Sequence, residues 1–240
     1  MAREHNHFEA AAPHSCYPGF RVNYFGHAAV ALDHQDSPLF VLGAMLPDLA
    51  GMLRSRCPAS ENEPLRRGLA FHQTTDAVFH QCATFVALNL AGTQALRDAG
   101  VARGPARAAA HLVTELLLDA VLATQARYAR GYLEALAVGR AGRAALCWPG
   151  ADHDEEFRAL AHHLHERGPA LHDANPERLT QRVARTLHGR PRLEPSPAEL
   201  ARIGVWARGH ADAVQGGAET LLRELRAGLL EVTTVLETHS

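Results

Sequence analysis

His111, Glu115 and Asp119 stand four residues apart in the oily stretch AAAHLVTELLLDAVLA. Four residues turn a helix by about 400°, so the three side chains form one narrow line. Leu118 and Leu122 flank that line on one side, and Leu112 and Leu116 on the other. A solvated helix face is the common setting for such a line, but a solvated face is usually broader. Carboxylates edged by leucines are expected to be partly buried, and a buried carboxylate needs an ion pair, hydrogen bonds or a cation. Asp119 is therefore expected as a metal ligand, and Glu115 and His111 as the catalytic pair that orients or relays a proton.

A second line occurs in FHQTTDAVFH, where His72, Asp76 and His80 share the same spacing. A histidine and an aspartate one turn apart can reach a single ion; a capped surface ladder would have the same spacing. His27 lies in the apolar segment NYFGHAAVAL, where the alternative is a satisfied core histidine. Asp48 follows Pro47 in GAMLPDL, where the alternative is a helix N-cap after a proline break. Together His27, Asp48, His72, Asp76 and Asp119 form an expected ligand set drawn from four helical segments. Oxygen and imidazole donors without thiolate suit Mn²⁺, Fe²⁺, Mg²⁺ or Zn²⁺. Such an ion polarises a phosphoryl oxygen and makes hydroxide from water near neutral pH, which fits phosphoester hydrolysis.

The elements that must position these groups read as helices. Alternating β-branched runs bounded by turns are almost missing, so the expected class is all-α, with about seven to nine helices around one core. Residues 1–21 read as a polar N-terminal extension and residues 22–240 as a single helical domain. Pro47 is expected to break or kink its helix. Ser60, three residues before Glu63, gives a capping-box signal. A long helical run is expected from about Ala106 to Ala137. Asn175 and Pro176 open a later helix as N-cap and first residue.

Composition narrows the class further. The 240 residues suffice for a sizeable core, and 47% hydrophobic with 21% charged content is ordinary for a globular chain. A net charge of −2 gives no electrostatic footprint for nucleic acid. Sixteen histidines are many, and imidazole is the commonest metal ligand, which favours a metal site somewhere. The four cysteines form no CxxC pair, so neither a zinc ribbon nor a dense disulfide framework is expected. No signal-peptide core and no apolar run of about 18 residues is visible, so the expectation is a cytoplasmic protein without a transmembrane segment.

Several of these segments, in the same order, resemble motifs of the acyl carrier protein phosphodiesterases, all-helical proteins distantly similar to HD-domain phosphohydrolases. NYFGH, with Asn23 and His27, is similar to an opening N-[FY]-x-[AG]-H segment. GAMLPDL, with Gly43 and Asp48, is similar to G-N-[LM]-L-x-D-F, and GLAFHQTTD, with Gly68, His72 and Asp76, to G-I-x-x-H-R-x-I-D. ELLLDAVL echoes D-V-x-x-D-H-F-L, with Glu115 and Asp119 in the acid places, and RPRL from Arg190 to Leu193 precedes the last helix. The chain departs from the pattern at Ala44, Gln73, Thr75, Glu115 and Ala120, so an arginine and a histidine of the family are replaced. The resemblance implies an HD-domain-like helical bundle and a divalent-metal phosphodiesterase, with Mn²⁺ or a similar ion. It also implies acyl carrier protein as a partner and removal of its 4′-phosphopantetheine arm; a smaller phosphodiester is the broader expectation. Arg54, Arg56, Arg66 and Arg67 could dock an acidic carrier. The competing readings are a zinc-dependent phospholipase C-like hydrolase and a non-catalytic helical binding relative.

Overall fold

A computed structural model of the chain describes residues 23–169 and 175–238, with side chains through residue 232. The expected extension over residues 1–21 lies outside the described residues. Nine helices and one minimal strand pair are described: α1 (Tyr24–His34), α2 (Pro38–Met52), β1 (Ala59–Ser60), α3 (Glu63–Phe79), α4 (Ala83–Asp98), α5 (Arg103–Ala123), α6 (Ala126–Arg140), β2 (Leu146–Cys147), α7 (Asp154–Arg167), α8 (Pro176–Leu187) and α9 (Pro197–Thr238). The protein is all-α, as its periodicity implies. The two strands pair antiparallel, with Ala59 opposite Cys147 and Ser60 opposite Leu146. Two residues per strand are too few to leave an alternating pattern in the sequence.

α2 is the hub. Every residue from Phe40 to Ala50 is buried, because α1, α3 and α6 pack around it. Ser37 begins it by accepting the Phe40 N–H, and Pro38 sits in its first turn, where no N–H is needed. Pro47 does not end this helix, which continues to Met52. The proline removes only the donor that would have served Gly43 O, while packing on all sides holds the turn together.

Glycine sets the spacing between α2 and α3. A Cβ on Gly43 would lie 2.2 Å from Leu65 O, and one on Gly68 would lie 2.1 Å from Phe40 O. The two helices therefore cross backbone to backbone, a separation that side chains do not allow. Asp48 stands five residues after Gly43 and His72 four after Gly68, so this crossing brings the two close.

Other local expectations are met or moved. The run from Ala106 to Ala137 divides at Thr124–Gln125 into α5 and α6. Asn62, not Ser60, caps α3 by accepting the Leu65 N–H. Ser60 Oγ instead accepts from Asn62 N and donates to Ala144 O, tying β1 to the segment before β2. Asn175 does cap α8, accepting from Glu177 N and Arg178 N.

The long α9 closes the bundle. Its Arg226 and the Tyr128 hydroxyl both donate to Asp33 at the end of α1, and Arg127 joins them. Its Glu224 accepts from Thr84 N and Thr84 Oγ1, at 2.9 and 2.8 Å. That carboxylate caps α4, whose own N-cap residue, Cys82, makes no capping side-chain bond.

α9 also buries His210, which stacks on Trp206 and lies 2.9 Å from Thr114 Oγ1 of α5. The Thr114 hydroxyl gives its proton to Ala110 O, so His210 Nε2 is the donor of this pair. Burial pulls the His210 pKa down to about 4. A depressed folded-state value favours the neutral ring, so the stabilisation is complete above about pH 6.5 and is lost as pH falls through about 4. The full difference is on the order of 3 kcal/mol. Urea titrations of the native chain and His210→Phe over this window should show the native losing stability faster on acidification. Parallel slopes would exclude a buried neutral imidazole here.

Candidate metal centre

Three helices deliver the first group. His27 comes from α1, Asp48 from α2 and His72 from α3, and each offers a ligand atom within 4.8 Å of the others. His27 and Asp48 are buried, at 6% and 4% exposure, while His72 is half-buried. His27 Nε2 lies 3.9 Å from Asp48 Oδ2, and the His27 and His72 ring centres are 4.0 Å apart. Burial first, and the charges of His72 and His80 second, hold the His27 pKa well below its ordinary value. The neutral imidazole that results is the form that binds metal.

The backbone fixes the orientation of His72. Its Nδ1 is 2.8 Å from Ala44 O. A carbonyl oxygen only accepts, so Nδ1 carries a proton, which leaves Nε2 as the nitrogen that can bind an ion. Metal-binding histidines are commonly oriented in this way.

A second group forms from His80, at the end of α3, and from His111 and Glu115 of α5. Glu115 is 3% exposed, and its Oε1 lies 3.0 Å from His111 Nε2 and 3.6 Å from His80 Nε2. The two rings are nearly parallel, 9° apart, with centres 5.1 Å from each other. His80 Nδ1 is 2.8 Å from Asp76 O, so it too is anchored by a backbone carbonyl. Burial would lower the His80 pKa, but the Glu115 hydrogen bond and the charges of Asp76 and Glu115 outweigh it and raise it to about 9. Burial would likewise raise the Glu115 pKa, yet the charge of His111 and the bonds from both histidines lower it. In the absence of metal, the pair is ionic.

The residues expected from sequence thus separate. His27, Asp48 and His72 come together. Glu115 and His111 come together elsewhere, with His80. Among the described residues, neither group of three includes Asp76 or Asp119. Axial length keeps the ends of each stripe apart. His72 and His80, like His111 and Asp119, are eight residues apart, which is about 12 Å along a helix. A stripe of that length serves two places, because its ends cannot meet at one ion. Asp76 sits between them with its side chain 48% exposed and 3.4 Å from His80 Nδ1. Asp119 accepts the Gly26 N–H at 2.8 Å and is 1% exposed, so it clasps α5 to the start of α1.

His210 carries no sequence motif; its only signal is a lone histidine one turn after Trp206 in an amphipathic helix. A narrow cavity beside His27 is lined by Val30, Phe79, Leu118, Leu122, Leu222 and Leu225 among others, so one wall of the site is apolar. Arg54, Arg56, Arg66 and Arg67 are exposed, and Arg67 pairs with Glu63 at 3.6 Å. Cys57, Cys82 and Cys147 are thiols. Among the described residues, no helix is long and apolar enough to cross a membrane.

The site therefore belongs to an all-α protein with two three-residue groups that could each hold a metal ion. No family model, curated protein or solved structure matches the chain.

Proposed function

We propose that the protein is a divalent-metal-dependent phosphodiesterase whose ion is held by His27, Asp48 and His72. The convergence of these three side chains from three different helices carries the reading. A divalent cation held there polarises a phosphoryl oxygen and lowers the pKa of water. Neutral His27 and backbone-oriented His72 present imidazole nitrogen, while Asp48 supplies negative charge at a buried position. The donor set of two imidazoles and one carboxylate suits Mn²⁺, Fe²⁺ or Zn²⁺, and the sequence resemblance places Mn²⁺ first.

The proposed substrate is holo-acyl carrier protein, with release of its 4′-phosphopantetheine arm. The exposed Arg54 and Arg56 after α2, and Arg66 and Arg67 at the start of α3, supply positive charge for an acidic carrier. The experiment is hydrolysis by the purified chain with Mn²⁺ supplied. Mass spectrometry follows loss of the arm from holo-acyl carrier protein, and absorbance follows bis(p-nitrophenyl) phosphate. Turnover that chelator removes and Mn²⁺ restores is the expected result. Cleavage of the small diester alone would keep the phosphodiesterase and discard the carrier. Bound metal without turnover of either compound would leave a binding protein in place of an enzyme.

A further inference from the structure

We propose that His80, His111 and Glu115 form a second cation site, separate from His27, Asp48 and His72, for a tetrahedrally bound transition ion of the Zn²⁺ class. This goes beyond the phosphodiesterase reading. It also replaces the proton-handling role that the sequence suggests for Glu115 and His111.

The geometry of three atoms carries it. Glu115 Oε1, His111 Nε2 and His80 Nε2 form a triangle with sides of 3.0, 3.4 and 3.6 Å. With metal–ligand bonds of about 2.0–2.1 Å, the ligand atoms of a tetrahedral ion stand about 3.3 Å apart. The three sides scatter around that length, so the atoms outline one face of a tetrahedron. Two Nε2 atoms turned toward each other and toward one carboxylate oxygen is an arrangement that a shared cation resolves. A plain ion pair needs only one of the two rings.

A second observation concerns the other carboxylate oxygen. Glu115 Oε2 is buried and has no hydrogen-bond partner, although a buried carboxylate normally has its oxygens satisfied. The orientation of His80 is fixed as in metal sites, since its Nδ1 donates to Asp76 O and turns Nε2 toward the triangle. Access is open on one side only. The His80 and His111 side chains are 35% and 28% exposed, while that of Glu115 is 4% exposed. An ion can enter past the rings, and water can take its fourth position.

The experiment counts ions. The chain is stripped with chelator, dialysed against Zn²⁺ and measured by inductively coupled plasma mass spectrometry, with far-UV circular dichroism to confirm folding. Two ions per native chain are expected, one in His111→Ala, one in His72→Ala and none in the double variant. Glu115→Gln keeps the side-chain size and serves if His111→Ala does not fold; it is expected to weaken the second ion at least tenfold. With Co²⁺ as probe, loss of the second ion should remove part of the visible absorption of tetrahedral Co²⁺. One ion in the native chain, kept by His111→Ala and lost in His72→Ala, would overturn this proposal and leave the phosphodiesterase reading standing. One ion lost in His111→Ala and kept in His72→Ala would do the reverse. Loss of both ions in a folded His111→Ala would mean one shared two-ion centre in place of two separate sites and would also overturn it.

Discussion

Gly68→Ala is expected to destabilise the protein by about 3 kcal/mol, the upper end of the range for overpacking a core. The added Cβ would be placed 2.1 Å from Phe40 O and 3.0 Å from Gly43 Cα. Both obstacles are backbone, so no rotamer change relieves them and α2 must move away from α3. Equilibrium unfolding in urea should show a lower midpoint with an unchanged slope. The same displacement should weaken metal binding, because Asp48 and His72 sit on the two helices that are forced apart. Gly209→Ala is the matched control: α9 has nothing within 4 Å of a Cβ at that position. There the change should stabilise by about 0.5–1 kcal/mol through helix propensity. A Gly68→Ala chain as stable as the native would refute the backbone crossing.

His72→Ala is expected to have the largest effect on chemistry. Removing a group one layer outside a metal's ligands typically costs about 10–100-fold in affinity or activity, and removing a ligand should exceed that. Metal content and diester turnover should therefore fall together. Asp76→Ala provides the contrast. Asp76 shares a helix stripe with His72 but lies beside His80, so the ion at His27, Asp48 and His72 should remain. Equal loss in both variants would mean that Asp76 reaches the first ion after all.

How far the site can be read from the sequence depends on distance. The all-α class is legible because apolar residues recur at helical intervals through the chain. The chemically active stripes are legible too, since four-residue spacing places His72, Asp76 and His80 on one line, and His111, Glu115 and Asp119 on another. Their division is not legible. Spacing reports which side of a helix a residue occupies, and it is silent on which neighbouring helix meets that side at each turn. His72 meets His27 across α1, while His80, two turns further on, meets His111 across α5. The role of Asp119 is hidden for the same reason. The sequence shows a buried acid, and only the structure shows the Gly26 amide that meets it. The persistence of α2 through Pro47 also escapes local rules, because packing from three other helices decides it.

The closing of the bundle by α9 has a consequence for synthesis. All six residues of the two groups lie between positions 27 and 115, but Leu222 and Leu225, which wall the cavity at His27, come at least 107 positions later. At ribosomal rates of about 5–20 residues per second, that gap lasts roughly 5–20 s. During it the nascent chain carries His27 without the α9 leucines that wall its cavity. The leucine faces of α5 that α9 will cover stay open to chaperones for the same interval, and ions can reach the growing site before the last helix arrives.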